Sequence, residues 1–201
     1  VDHFKGRILF VQIGAEGDHH PALRGVLDLR GRTDVRQLIR LVHHSAGVLS
    51  PVTGVMHLAA AVPVRDGRPL NRPCVVVAGG REPSHWEAYP HHQFLHTLGA
   101  LPCCDNGGCW KSRTVPLGDG DKRDQSLCVD VVNPPKRRPP IQNSKLKIQN
   151  SQPLPRCMSM ITAADVIRAI ERYHEAGAYP WMRRAQWNLA SPHLSTNQTN
   201  K

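Results

Sequence analysis

The residues best suited to chemistry begin with a short segment in which a helix is expected to follow a strand. Thr53 and Gly54 stand between the apolar run at 47–49 and an alanine-rich stretch that ends at residue 61. Thr53 is a favourable N-cap residue because its hydroxyl oxygen can accept an N–H of the first helical turn. Gly54 has no Cβ to keep a ligand from the backbone. Unpaired N–H groups and the helix dipole favour an anion there, typically a phosphate.

His57 lies one turn further along the same predicted helix. An imidazole at this place can touch the anion or orient the turn that holds it. The alternative is a hydrogen-bonded packing residue without a ligand, and the pattern alone leaves both interpretations open.

Cysteines form the second candidate group. Five of the six fall between residues 103 and 157: Cys103, Cys104, Cys109, Cys128 and Cys157. The opening residues lack the pattern of an export signal, which favours a reducing compartment and free or metal-bound thiols over disulfides. We predict a structural four-thiolate site for zinc or iron, formed by Cys109, Cys128, Cys157 and one of Cys103 or Cys104. Scattered buried thiols are the alternative.

Strands that could position these groups are predicted from apolar runs. The runs lie at 7–14, 25–29, 47–50 and 74–78. The first is nearly continuous and ends in Gly14, which is typical of a strand buried on both faces of a parallel sheet. The loop that follows carries His19 and His20, which could bind a metal or a sugar or could simply be solvated.

Helices are predicted between and after these strands. Thr33 is expected to cap the first, whose core-facing stripe is Val35, Leu38, Ile39 and Val42 and which ends at His43 and His44. Thr162 and Asp165 have the spacing of a capping box before a later helix, which is expected to end near Gly177. Its apolar face would comprise Val166, Ile167, Ile170 and Tyr173.

Several motifs resemble glycosyltransferase family 9, which contains the ADP-heptose:lipopolysaccharide heptosyltransferases. They are Asp28-Leu-Arg-Gly-Arg-Thr33, Ala46-Gly-Val-Leu-Ser50, Thr53-Gly-x-x-His-Leu-Ala-Ala-Ala61 and Pro73-Cys-Val-Val-Val-Ala-Gly-Gly80, the last followed by Pro83, Trp86 and Tyr89. The resemblance covers residues 7–100 and only the C-terminal, donor-binding half of a two-domain GT-B enzyme. One departure concerns the residue before the Thr-Gly pair, which is usually Asp in the family and is Val52 here.

The resemblance implies a fold and a ligand. The fold would be α/β, a Rossmann-like parallel sheet with flanking helices that forms the C-terminal half of a GT-B fold, here with a cysteine-rich extension. The donor would be a nucleotide-diphosphate sugar such as ADP-heptose. The implied donor-binding residues are Thr53, Gly54, Val55, His57, Gln12, Gly14, Glu82 and Trp86.

The resemblance also implies that the catalytic base does not lie among these 201 residues. In the family the catalytic base is an Asp of the N-terminal half, so we expect no catalytic residue here and no transfer by this chain alone. Some protein-directed heptosyltransferases that resemble the family carry a cysteine-bound iron in the donor half, which agrees with the thiol site predicted above. Trp86 could also pack beneath its own loop instead of touching the donor.

The predicted organisation has five segments. They are a nucleotide-sugar-binding domain (1–100), a cysteine-rich extension (101–132), a disordered insertion (133–156), a helical segment (157–190) and a tail (191–201). The insertion is inferred from its prolines, its lack of acids and its repeated Ile-Gln-Asn-Ser, at 141–144 and 148–151.

Net charge and hydropathy limit the choice of partners. The formal charge is +10, but six of the cations lie in the stretch between residues 131 and 164, which contains no acid. The rest are not interleaved with aromatic side chains, so we do not expect a nucleic-acid interface. No apolar run reaches the roughly 20 residues that span a bilayer. We expect a cytoplasmic protein whose partners are a sugar donor and a glycan or protein acceptor; peripheral membrane contact and oligomeric state stay open.

Three functions compete at this point. The first is the donor half of a family 9-like glycosyltransferase. The second is a non-catalytic, metal-binding interaction domain built on the cysteines. The third is a decayed fragment without activity of its own. Nucleotide binding separates the first from the third, and metal analysis tests the second.

Overall fold

A computed structural model of the chain describes residues 1–16, 23–65, 72–133 and 153–174. They form two compact units, each taken by itself below. The first comprises the described residues of Val1–Arg40, Gly79–Glu82 and Thr97–Met160, and the second those of Leu41–Ala78, Pro83–His96 and Ile161–Lys201. The loop with His19 and His20, most of the predicted insertion and the predicted tail lie outside the described residues.

The elements alternate between strand and helix through most of the chain. The strands are β1 (Val11–Gln12), β2 (Leu27–Asp28), β3 (Val48–Pro51), β4 (Cys74–Gly79), β5 (His92–His96), β6 (Val131–Val132) and β7 (Leu154–Pro155). The helices are α1 (Val35–His44), α2 (Gly54–Ala61), α3 (Ser84–Glu87), α4 (Arg156–Ser159) and α5 (Ala163–His174). Short 3-10 turns lie at Asp2–Phe4, Pro102–Cys104 and Lys122–Gln125.

The first unit contains two small sheets. β1 and β2 pair in parallel, and β6 and β7 pair antiparallel. The prediction that residues 7–14 form a strand buried on both faces is wrong, because β1 has only two residues and Leu9 is 75% exposed. The last residues assigned to the predicted insertion form β7 and the first residue of α4.

Helix α1 starts one residue later than its predicted cap implies. Asp34 accepts the N–H of Gln37 at 2.7 Å, and Gln37 Oε1 accepts the N–H of Asp34 at 2.8 Å. This reciprocal capping box uses Asp34 and not Thr33. Only Val42 of the predicted stripe is buried. Val35 is 69% exposed and Ile39 is 38% exposed.

The second unit is built on the sheet β3-β4-β5. β3 and β4 are parallel, with Val48 opposite Cys74 and Ser50 opposite Val76. The Tyr173 hydroxyl bonds the carbonyls of Cys74 and His91, which lie at the start of β4 and just before β5. The Thr97 N–H bonds the Gly79 carbonyl where both strands end. β5 therefore runs in the same direction as β4.

Helices cover both faces of this sheet. Because successive strand residues point to opposite faces, Cys74 and Val76 pack against Met56 and Ala59 of α2, and Val75 packs against α5. The α5 side of this core consists of Val166, Ala169, Ile170 and Tyr173. The predicted Thr162–Asp165 capping box is present, with the Thr162 N–H and hydroxyl both donating to the Asp165 carboxylate.

These arrangements confirm an α/β architecture with parallel strands and flanking helices. β5 was not predicted, because its sequence, His-Gln-Phe-Leu-His, contains only two adjacent apolar residues. Among the described residues, no helix has the length and apolar composition needed to cross a membrane.

Candidate functional site

The start of α2 is the centre of the candidate site. Thr53 occupies the N-cap position in extended backbone, as predicted, but its side chain does not accept a helical N–H. Its hydroxyl lies 3.0 Å from the Ser50 hydroxyl, which in turn donates to the Pro51 carbonyl at 2.7 Å. Since Ser50 has one proton to give, the Thr53 hydroxyl is the donor to Ser50. The predicted side-chain cap is therefore wrong, and first-turn N–H groups are left for another acceptor.

Gly54 leaves an open space at this helix end. A Cβ built on Gly54 would have no atom within 4 Å, apart from its own neighbours in the helix and chain. The Met56 N–H bonds the Thr53 carbonyl at 3.0 Å, so the N–H groups of Gly54 and Val55 precede the first bond of the helix. A ligand can reach these two N–H groups without moving a side chain at Gly54.

His57 is held at both ring nitrogens by residues that follow β4. Nδ1 lies 2.9 Å from the Tyr89 hydroxyl, and Nε2 lies 3.2 Å from Glu87 Oε2. A carboxylate only accepts hydrogen bonds, so Nε2 carries a proton and donates to Glu87. Nδ1 is paired with the Tyr89 hydroxyl. Both nitrogens are thus occupied within the protein.

A buried imidazole lies beside this group. The ring of His92 is 4.9 Å from that of Tyr89 and 4.6 Å from that of His91. Its two nitrogens have no hydrogen-bond partner among the residues that the structure describes. Burial, with smaller contributions from His91 and His57, lowers the pKa of His92 to about 4. Burial and then Arg72 lower the pKa of His91 as well.

Arg72 fixes the other end of α2. Its guanidinium is fully buried and donates to the carbonyls of Ala59 at 2.9 Å, Val62 at 3.0 Å and Pro63 at 3.1 Å. A cation at the carboxyl end of a helix satisfies its last carbonyls and opposes the negative end of its dipole. Arg72 therefore anchors the carboxyl end of α2, while the amino end of the helix stays open.

The other predicted donor-binding residues occupy various positions. In the first unit, Gln12 Oε1 accepts the Leu23 N–H, the Gly14 carbonyl accepts the Gly31 N–H, and Glu82 pairs with Arg81 at 2.7 Å. In the second unit, Trp86 is 65% exposed on α3, and Val55 belongs to the first turn of α2. The structure thus joins Thr53, Gly54, Val55 and His57 on one helix and places Gln12, Gly14 and Glu82 in the other unit.

The thiols of the predicted metal site all lie in the first unit. The buried Cys104 thiol is directed at the backbone, 3.3 Å from the Leu101 carbonyl and 3.6 Å from that of Thr97. Glycines make room for the sulfurs, since a Cβ at Gly80 would lie 3.0 Å from Cys104 Sγ. Among the described residues, no group of three or more His, Cys, Asp or Glu side chains is already arranged to hold an ion.

Electrostatic coupling nevertheless relates all five of these thiols. Burial raises the pKa of Cys103, followed by the negative charges of Cys104, Cys109 and Cys128. Burial also raises the pKa of Cys157, with further contributions from Cys109 and Cys128. Cys109 and Cys128 therefore lie close enough to act electrostatically on both Cys103 and Cys157.

A polar network supports the loop that carries Cys128. Arg113 forms a bidentate pair with Asp119, both contacts being 2.7 Å, and also contacts Asp124. These hydrogen bonds raise the pKa of Arg113 and lower that of Asp119. The Cys128 N–H donates to the Arg113 carbonyl at 2.7 Å, so the network fixes the backbone beside this thiol.

A comparison with known protein families gives a match around α2. Residues 17–106 match the sequence model of glycosyltransferase family 9 (heptosyltransferase). The resemblance inferred from the motifs is thereby confirmed for just under half of the chain. The family 9 segment contains Thr53, Gly54, His57 and Trp86, whereas Cys109, Cys128 and Cys157 lie beyond it. No curated protein and no solved structure matches the chain.

Sequence reasoning missed three members of the site. Arg72 lies in a polar loop sequence, and Glu87 and His92 lie on elements that were not predicted. Periodicity gives no signal for a contact such as His57–Tyr89, whose members are 32 residues apart. The only available sign was the high density of histidine and aromatic residues after residue 84.

Proposed function

We propose that this chain provides the donor-binding part of a glycosyltransferase of the family 9 type, and that the donor's diphosphate binds at the first turn of α2. The observation that carries the proposal is the open space at Gly54, at the amino end of a helix inside the family 9 segment. The Gly54 and Val55 N–H groups would bind phosphate oxygens there, helped by the helix dipole. Thr53 would flank them.

The transfer requires more than donor binding. A sugar leaves its diphosphate when an acceptor hydroxyl loses a proton to a base and the leaving phosphates are stabilised. The α2 amino end would supply that stabilisation. We propose a heptose-type nucleotide sugar as the donor and a glycan or protein as the acceptor, with the base coming from an acceptor domain.

Binding of nucleoside diphosphates to wild type and Gly54→Val tests this function. The valine side chain would fill the open space without displacing protein atoms, so the fold should survive while affinity falls by about tenfold or more. Calorimetry with ADP, GDP and UDP measures this, and Ala61→Val at the exposed far end of the same helix is the matched control. Equal binding by wild type and Gly54→Val, or no binding by a folded wild type at millimolar nucleotide, contradicts the assignment.

We propose in addition that Cys103, Cys109, Cys128 and Cys157 bind a structural zinc or iron. All five cysteines between residues 103 and 157 are electrostatically coupled, and the orientation of Cys104 towards two carbonyls favours Cys103 over Cys104 as the fourth ligand. Four thiolates at about 2.3 Å would close the coordination sphere. The ion would thus hold the extension together and would take no part in transfer.

Metal analysis of protein purified without chelator tests the thiol set. We expect about one ion per chain in wild type and in Cys104→Ala, and loss of the ion in Cys109→Ala. The melting temperature of a variant that has lost the ion should be lower than that of a variant that keeps it. Metal-free wild type with reactive thiols, or equal loss of metal in Cys104→Ala and Cys109→Ala, would refute this set of ligands.

A further inference from the structure

His57 connects α2 to the short segment that follows β4. Its two ring nitrogens contact Glu87 and Tyr89, which lie at the end of α3 and just beyond it. The Tyr89 ring also packs against the apolar cluster beneath α2, which includes Met56 and Val76. Two polar contacts and one apolar contact therefore fix this segment against the helix that carries Gly54.

Trp86 lies next to this connection in the sequence. It lies on the single turn of α3, directly before Glu87, and is 65% exposed. The Ala88 N–H bonds the Ser84 carbonyl at 2.8 Å, which closes the turn around Trp86. Because the turn is only four residues long, its orientation depends on the contacts of Glu87 and Tyr89.

We propose that the network Glu87–His57–Tyr89 is a positioning device that holds Trp86 as a stacking platform for the nucleobase of the donor. The inference rests on the proposed binding of a nucleoside diphosphate at α2. The phosphates would bind at the start of the helix, and the base would stack on the indole. Every nucleobase has a π-face, and stacking on an aromatic side chain is a substantial source of affinity. His57 acts here through Trp86 and not on the phosphates, since both of its nitrogens are occupied.

Tyr89→Phe is the variant that separates this role from packing. It removes only the hydroxyl that pairs with His57 Nδ1, while the ring stays in the apolar cluster. Glu87→Gln weakens the other contact of His57 and serves as the second variant. Both variants leave Gly54 and the α2 backbone unchanged.

Two probes, ADP and inorganic pyrophosphate, separate base binding from phosphate binding. We expect Tyr89→Phe and Glu87→Gln to weaken ADP binding about three- to tenfold, the loss expected for one hydrogen bond, and to leave pyrophosphate binding unchanged. In a Trp86→Ala background the same two changes should no longer affect ADP affinity, which a purely structural role would not predict.

Each result of this experiment decides something. Equal weakening of ADP and pyrophosphate, unchanged ADP binding, or an effect that persists without Trp86 overturns the positioning role and leaves the phosphate site standing. A folded wild type that binds neither probe removes the phosphate site and the inference with it. A base-selective loss that depends on Trp86 supports both.

Discussion

His92 is a buried imidazole with an energetic cost. A polar group that loses its water without a protein partner costs about 1–3 kcal/mol, and both ring nitrogens of His92 lack a partner among the described residues. The ring is neutral in the folded protein because burial lowers its pKa to about 4. In the unfolded chain it takes up a proton near pH 6.5. Between these two values the unfolded state binds more protons, so stability falls as the pH is lowered.

We expect His92→Leu to change that pH dependence. Stability at pH 7 should be equal to or higher than that of wild type, because the unpartnered nitrogens are removed. The part of the wild-type loss of stability between pH 6.5 and pH 4 that comes from His92 should disappear. Urea unfolding at a series of pH values measures this.

The control for His92 is His96→Leu, at the exposed end of the same strand. It should retain the wild-type pH dependence. If the stability of His92→Leu falls as steeply as that of wild type when the pH is lowered, His92 is not the group that causes the loss of stability at low pH.

The first turn of α1 allows a matched test of capping. Asp34 and Gln37 exchange hydrogen bonds, whereas the neighbouring Thr33 lies outside this capping box. Removing a capping side chain costs about 1 kcal/mol. We therefore expect Asp34→Ala to lower the free energy of unfolding by about that amount and Thr33→Ala to leave it nearly unchanged. Chemical denaturation measures both, and a larger loss in Thr33→Ala would restore the cap predicted from the sequence.

Local patterns predicted those elements whose determinants are close in sequence. The capping box of Thr162 and Asp165 was predicted correctly because both partners lie within one turn. The α1 cap was placed one residue early because Thr33 and Asp34 are both good capping residues. Gln37, three residues after Asp34, was the signal that could have decided between them.

Elements that depend on distant contacts were less predictable. β4 was predicted because residues 74–78 form a continuous apolar run. In the structure most of this run is buried. The run at 7–14 is also mostly apolar, but among the described residues its strand pairs only with β2, and Leu9 is 75% exposed. The position of His57 was predicted from its spacing to Gly54, whereas its partners Glu87 and Tyr89 required the fold.

The proposed donor site and the proposed metal site lie in different units of the molecule. The second unit carries the open amino end of α2, which is anchored at its other end by Arg72. The first unit carries the coupled thiols and the Arg113 network. The family 9 segment extends into both units, and donor binding at α2 is the proposal on which the functional account depends.

The most direct test of that proposal is an NMR titration of the full chain with ADP, in which each backbone amide is followed. We predict that the amides of Gly54 and Val55 show the largest shifts and saturate together, because their N–H groups would bind the phosphates. Pyrophosphate should move the same two amides. Saturating shifts confined to residues outside α2 and its preceding turn, or no shift with a folded protein at millimolar ADP, would contradict the account.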